Sequence, residues 1–444
     1  MGWRLPAHEA IIFRMPKTIR SSLGAALLAA LATLSVAMMP HAAGSAPPDT
    51  AQLLALAKRY HVDAITSRRF THDEFWRAVA PSLASSALRS EQVGKSMQGR
   101  SIQTVTFGHG PTTVLLWSQM HGDESTATMS LADIFGFLAD SAASDLRDRL
   151  SSKLTITFVP MLNPDGAEVF RRENAAGIDI NRDAARLATP EGRILKALRD
   201  RIRPDFGFNL HDQNARTRAG RNGLQTAIAL QAPPTDASDN YNAVRTRAGQ
   251  VAARIVETLR SEIPGRMAHY DDTYNPRAFG DHMQAWGTST VLIESGALPD
   301  DPEKQRLRAL NVAAILSALD GIATGDYVKS DVKEYEALPF NAGGARSLLI
   351  TGGTLVLPGL APLQADVAVD YEDQLHKAQP FLRDVGDLST SVAVDTLDAA
   401  GLFIHPAASM LGKGDHGVYL RMDVPVEMRI TRASDGGDVV KVVE

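Results

Sequence analysis

Between residues 50 and 324 the chain alternates short apolar runs with longer runs of helical character, and three short runs end on groups that bind metals or protons. Residues 112–117 lead into His121, residues 206–210 into His211, and residues 288–293 into Glu294. Short apolar runs read as buried strands, and their alternation with helices implies an α/β sheet covered by helices on both faces. The sheet is expected to be mixed and mostly parallel. In such a sheet ligands bind beyond the carboxyl ends of the strands. The three segments therefore predict one shared edge. A carboxylate closing a buried strand is costly unless it is paired or used.

The other elements follow from periodicity and turn chemistry. Residues 102–107 and 112–117 read as two strands joined by a turn at Gly108-His109-Gly110-Pro111, and 154–159 as a further buried strand. Helices are expected over 125–138, 191–202, 242–263 and 302–319, a strand over 224–230, and a turn at Asn163-Pro164-Asp165-Gly166. Past residue 324 the texture changes to short apolar runs separated by Gly, Pro and Asp, which reads as a small β-rich domain over 325–444. Residues 348–356 and 365–369 resemble the strand start of amidohydrolases such as dihydroorotase, and a pair of strands with a Gly352-Gly353 turn explains them equally; no HxH pair follows, and the domain reads as a non-catalytic accessory unit.

The N-terminus carries Lys17 and Arg20, an apolar stretch from Leu23 to Met39, and then Ala42, Ala43, Gly44, Ser45 and Ala46. That order matches a signal peptide over residues 1–46, with Met15 as an alternative start and a membrane anchor as the competing reading. The expected location is periplasmic or secreted, with no membrane association beyond this segment. The chain has no cysteine, which excludes disulfides, thiolate metal sites and cysteine nucleophiles. A net charge of -5 and the lack of basic runs interleaved with aromatics exclude nucleic acid as an expected partner.

The chemistry concentrates in a few segments. In Met120-His121-Gly122-Asp123-Glu124 a histidine and an acid three residues apart can reach one ion. Imidazole plus carboxylate suits zinc, which in catalytic sites takes three protein ligands and leaves one position open. His211, in Asn209-Leu210-His211-Asp212, can supply the third ligand, and Glu294 can supply a general base.

The order HxxE, Asn-Pro-Asp-Gly, Gly177-Ile178-Asp179-Ile180-Asn181-Arg182, a strand-end His and a strand-end Glu resembles the zinc carboxypeptidases of the carboxypeptidase A type over roughly residues 85 to 320. The resemblance implies a zinc enzyme that removes the last residue of a peptide with a free C-terminus. His121, Glu124 and His211 would bind one Zn²⁺, and Glu294 would take a proton from the zinc-bound water and pass it to the leaving amine. Arg172, or its neighbour Arg171, would polarise the scissile carbonyl. Asn181 and Arg182 would hold the substrate carboxylate, and Tyr274, or Tyr270, would close over it. The chain departs from the family in a shorter interval between Glu124 and His211, in Asp183-Ala184 where an aromatic is usual, and in Asp212 after the third ligand. The same scaffold also serves amidases and deacylases acting on murein peptides or acylated amino acids. A reading of another class is an inactive module that keeps the carboxylate grip.

Overall fold

The computed structural model describes residues 46–444 apart from 143, 222 and 416; residues 1–45, where the signal peptide is expected, lie outside the described residues. The first half is built on β1 (Leu88–Lys95), β2 (Ser101–Gly108), β3 (Thr112–Ser118), β4 (Leu154–Val159), β5 (Phe206–Asp212), β6 (Arg218–Ala219), β7 (Ile228–Gln231), β8 (Met267–His269) and β9 (Ser289–Ser295). All but β6 form one sheet in the order β1-β2-β4-β3-β5-β9-β7-β8. The neighbours β4-β3-β5-β9 run parallel, as do β7 and β8; the β1-β2, β2-β4 and β9-β7 pairs are antiparallel. The sheet is therefore mixed and mostly parallel, as the alternation implies.

The two strands expected over 102–107 and 112–117 are both present, joined by the expected turn, but they are not paired with each other. β2 and β3 are not neighbours, because β4 lies between them. The segment that joins them wraps round the start of β4: His109 N–H donates to Ser151 O and Gly110 N–H to Leu154 O. A Cβ on Gly110 would sit 1.9 Å from the Lys153 carbonyl carbon, so glycine is required there for backbone to meet backbone. The turn residues are legible locally, while the strand inserted between β2 and β3 is β4, which follows a whole helical stretch later in the chain.

Both faces are covered. Val114, Leu116, Phe208, Leu210, Val291 and Ile293 pack with the helices Thr126–Ala139, Ala243–Leu259 and Gln305–Thr324. Leu115, Trp117 and Val159 point the other way, onto the helices Pro190–Ile202 and Phe279–Ala285. Alternation along a strand thus puts apolar residues on both sides, which is why these strands read as continuous apolar runs. The helix Gln305–Thr324 is long and apolar enough to cross a membrane by composition, yet 83% of its window is buried inside the fold. It is a core helix, pinned by Arg308, whose Nε lies 2.7 Å from Asp133 Oδ2. Both members of that pair are buried, so neither could lose the other without leaving a charge stranded in the core.

The described residues 46–444 form one compact unit. Residues 326–342 belong to the packing of the first sheet: Tyr335 is fully buried in its core, and β10 (Asn341–Ala342) pairs with β6. The β-rich part follows, with β11 (Arg346–Leu355), β12 (Leu363–Asp373), β13 (Ala378–Gly386), β14 (Ala393–Asp398) and β15 (Phe403–Pro406), then the hairpin β16 (Leu411–Gly414) and β17 (Gly417–Leu420), then β18 (Met428–Thr431) and β19 (Val439–Val443). Its sheet has the order β13-β12-β11-β15-β18-β19, with β14 also paired to β11, around a separate small core that includes Ile350, Val367, Leu382 and Ile430. Gly352-Gly353 is not a turn. It lies inside β11, where the register against β12 shifts between Ile350 and Gly353 and Gly352 takes a positive φ of 70°. A Cβ on Gly353 would press on Ile404, so the pair is a bulge that admits a core side chain.

Candidate metal centre and substrate cavity

The register of the parallel strands sets the site. His211 and Glu294 are paired positions on β5 and β9, so both side chains leave the sheet on the same side at its carboxyl edge. His121 and Glu124 reach this edge from the loop after β3. That loop is held tightly. Gln119 takes a positive φ of 49°, Leu162 N–H donates to Ser118 O and Asn163 N–H to Gln119 O. A Cβ on Gly122 would lie 2.0 Å from the Gly166 carbonyl carbon. The Asn163-Pro164-Asp165-Gly166 segment, a short helix Pro164–Glu168 capped by Asn163, is thus the surface against which the His121–Glu124 loop is pressed.

His121, Glu124 and His211 are buried, and one potential ligand atom from each lies within 4.8 Å of the others. His121 Nδ1 is 2.8 Å from Glu124 Oε1, His211 Nδ1 is 2.6 Å from Glu124 Oε2, and the two Nδ1 atoms are 3.1 Å apart. Two imidazole nitrogens and a carboxylate facing one point suit a divalent cation, and two histidines with a glutamate suit zinc. The charges of the three groups are tightly linked. Burial pushes His121 down, but Glu124 and the hydrogen bond with Asp179 outweigh it and raise its pKa to about 9. Burial alone would raise Glu124; the two histidines hold it far below the usual carboxylate range instead. Burial, and then the Glu124 charge, push Glu294 well up, and its Oε2 has no hydrogen-bond partner among the described residues. An unpaired buried carboxylate oxygen at this edge is a group free to take a proton.

The loop 171–182 supplies the next shell. Arg172 Nη1 is 2.9 Å from Glu124 Oε1, and its Nε and Nη2 lie 3.1 and 3.0 Å from Asp179 Oδ2. Asp179 Oδ1 is 3.0 Å from His121 Nε2 and also accepts the Asn181 N–H at 2.8 Å. Ile180 is fully buried in the core on this side of the sheet, which fixes the turn that presents Asn181 and Arg182. Asn181 Oδ1 accepts the Phe279 N–H at 2.9 Å.

One cavity of about 1110 Å³ joins these parts. Its walls include the three candidate ligands, Glu294, Arg172, Asn181 and Arg182. Of the two tyrosines, Tyr270 lines the cavity and Tyr274 is not among the lining residues. The Tyr270 phenol is pushed well up, first by the Glu294 charge and then by burial, as a ring beside that carboxylate must be. Arg172 lines the cavity where Arg171, exposed and with its N–H donated to Gly166 O, is not among the lining residues. The departures in sequence have structural uses. Asp183 is buried and accepts from Ala188 N–H, Thr189 N–H and Thr189 Oγ1, while Asp212 pairs with Lys304 at 2.9 Å and donates its N–H to Glu124.

Asp179 carries a role that its position in the sequence does not announce. The histidine that a metal would use through Nδ1 has its other nitrogen held by this carboxylate, the arrangement that fixes tautomer and ring orientation in metal sites. Asp179→Asn is expected to weaken zinc binding about 10- to 100-fold, read by competition with a chelator. Unchanged affinity would remove the orienting role.

Residues 73–221 match the family profile described as zinc carboxypeptidase. "Probable carboxypeptidase 2" of Arthroderma benhamiae is 33% identical over 102 residues, 22% of this chain and 19% of that protein. "Carboxypeptidase 2" of Trichophyton rubrum is 29% identical over 160 residues, 34% of this chain and 29% of that protein. The chain thus spans about a fifth to a third of the length of these relatives. A solved metallo-carboxypeptidase from Pseudomonas aeruginosa, in complex with (2-guanidinoethylmercapto)succinic acid, superposes with a TM-score of 0.46 at 20% identity, covering 57% of this chain and 70% of that one. The matched segment 73–221 is the part of the chain similar to the zinc carboxypeptidases, and it holds His121, Glu124, His211, Arg172, Asn181 and Arg182.

Proposed function

We propose that the chain is a zinc-dependent carboxypeptidase that binds one Zn²⁺ through His121, Glu124 and His211 and removes the last residue of peptides with a free C-terminus. The observation that carries this reading is the convergence of the donor triad, a buried Glu294 whose Oε2 has no partner among the described residues, and the Asn181-Arg182 turn on a single cavity. When bound, zinc supplies Lewis-acid chemistry and lowers the pKa of a coordinated water to about 7. Glu294 then takes a proton and returns it to the departing amine; burial and the neighbouring Glu124 make it a stronger base than an exposed carboxylate. Arg172, held by Glu124 and Asp179, is oriented to receive negative charge as it develops on the scissile carbonyl oxygen. Arg182 offers the planar fork that matches a carboxylate, and Asn181 lies beside it.

Tyr270 takes the covering position assigned above to Tyr274, because it lines the cavity beside Glu294. Tyr270→Phe is expected to lower kcat/KM about tenfold, the loss of one hydrogen bond near the upper end of the usual range, while Tyr274→Phe stays close to the parent. Equal effects of the two would withdraw the assignment.

The direct test of the reading compares a peptide with a free C-terminus and its amidated twin on the zinc-loaded chain. An exopeptidase cuts the first and spares the second. Equal cutting would favour the amidase or deacylase reading, and no cutting of either, with zinc bound, would favour a binding module. Secretion through the 1–46 signal peptide belongs to the same proposal, and N-terminal sequencing of the exported protein tests it: an intact leader would withdraw it.

A further inference from the structure

The cavity does not belong to the α/β part alone. The tip of the β12–β13 hairpin enters its wall, with Tyr371 through Leu375 and then Ala378 and Gln379 among the lining residues. These residues lie some 80 positions downstream of Glu294, on a sheet with its own core. The tip is tied down at several points. Asp373 receives Arg68 Nη2 at 3.4 Å, has Arg69 Nη2 at 3.7 Å, and lies 3.0 Å from His376 Nδ1. His376 Nε2 reaches Glu303 Oε1 at 3.1 Å, and Glu303 Oε2 accepts the Arg68 N–H at 2.8 Å.

These ties lead to the segments that carry the candidate ligands. Arg68 O accepts Ser125 Oγ at 2.5 Å, immediately after Glu124. Nearer the base of the hairpin, Asp370 is 2.8 Å from Arg216, in the loop that follows His211. Arg68 and Arg69 also stack over the Phe170 ring, at 5.1 and 4.7 Å, two residues before Arg172. The wall therefore runs from the hairpin tip through Arg68 and Phe170 to Arg172. The Asn181-Arg182 turn is held elsewhere, by the start of the helix Phe279–Ala285.

A peptide whose terminal carboxylate sits at Asn181 and Arg182, and whose scissile carbonyl faces Arg172, must continue past Arg172 toward this wall. Each ion pair in the wall is partly exposed and weak alone. Several pairs on one short hairpin act together, so a long substrate would have to break the set or lose its place at the metal. Gln374, at the tip, keeps a buried Oε1 with no partner among the described residues and lines the cavity, leaving an acceptor for a backbone N–H of the upstream residue.

We propose that the tip of the β12–β13 hairpin is a specificity wall that limits the length of substrate upstream of the scissile bond, so that short peptides are preferred to long ones. The proposal rests on the carboxypeptidase reading. It is tested by kcat/KM for a set of peptides sharing their last two residues and growing from three to ten residues, on the zinc-loaded full chain. The parent is expected to favour the tripeptide over the decapeptide by about tenfold or more, equivalent to the loss of at least one good contact. Replacing residues 374–377 by Asn-Gly should bring that ratio toward one, and so should Asp373→Ala, which keeps the hairpin length while removing the ties and the bonds Asp373 accepts from the Leu375 and His376 N–H groups at the tip. Parent rates that do not depend on length, or ratios unchanged in both zinc-bound variants, overturn the wall and leave the carboxypeptidase reading intact. No cleavage at any length by the zinc-loaded parent overturns both.

Discussion

Glu294→Gln is expected to bind zinc as the parent does and to hydrolyse peptides about 10³-fold more slowly, within the range that a positioned general base contributes. The expectation follows from a separation visible in the geometry. Glu294 pairs with His211 in the strand register but is not in the ligand triad, whose donor atoms come from His121, Glu124 and His211. The amide has the shape of the acid, so strand β9 and its neighbours should pack unchanged. It cannot accept a full proton, so the step assigned to Glu294 has no substitute. The fold has no need of the charge either, since burial and Glu124 both disfavour it. Zinc content by elemental analysis and single-turnover rates on one peptide check the two halves separately. Activity within tenfold of the parent would remove Glu294 as the base; lost zinc would show that it belongs to the metal site after all.

How much of this could be read from the sequence depends on whether a feature is local. β3, β5 and β9 are legible because strands buried on both faces write themselves as short, largely apolar runs. The polar residues that end them stand out against those runs, which is why the triad and Glu294 could be named together. Pairing is not local. The turn between β2 and β3 is legible, yet β4 separates the two strands, and nothing in 108–111 records that. The tyrosine shows the same limit. Tyr270 and Tyr274 are four residues apart in a loop between β8 and the helix Phe279–Ala285, and spacing cannot say which one faces Glu294. Asp179 is written in the segment that carries the family resemblance, but its bond to His121 spans 58 positions. The hairpin wall is the extreme case, since Arg68 and Asp373 meet across 305 positions and neither carries a motif.

Arg182→Met should lower kcat/KM on a peptide with a free C-terminus by about 10²- to 10³-fold, the cost of leaving a bound carboxylate without its charged partner at roughly 3–4 kcal/mol. The same substitution should leave the slow cleavage of the amidated twin nearly where it was, because an amide never used that charge. The ratio of the two rates, rather than either alone, is therefore the quantity to follow: large in the parent, near one in the variant. Methionine keeps much of the apolar stem, so a collapse of the ratio would report the guanidinium and not a loss of packing. The site can lose this charge without losing its shape. The turn is anchored by Ile180 in the core and by Asn181 Oδ1 on the Phe279 N–H, while Arg182 gives one of its own N–H groups to Asn181 O. A variant that still prefers the free peptide as strongly as the parent would mean that another cation on the cavity wall holds the terminus. Arg216 and Lys304 are both there, but Arg216 is engaged by Asp370 and Lys304 by Asp212. Arg172 is already shared between Glu124 and Asp179. Among the cavity cations on this side of the site, Arg182 is the one whose described hydrogen bond goes to a backbone carbonyl and not to a carboxylate, so its charge is not matched by such a bond, as the proposed carboxylate grip requires.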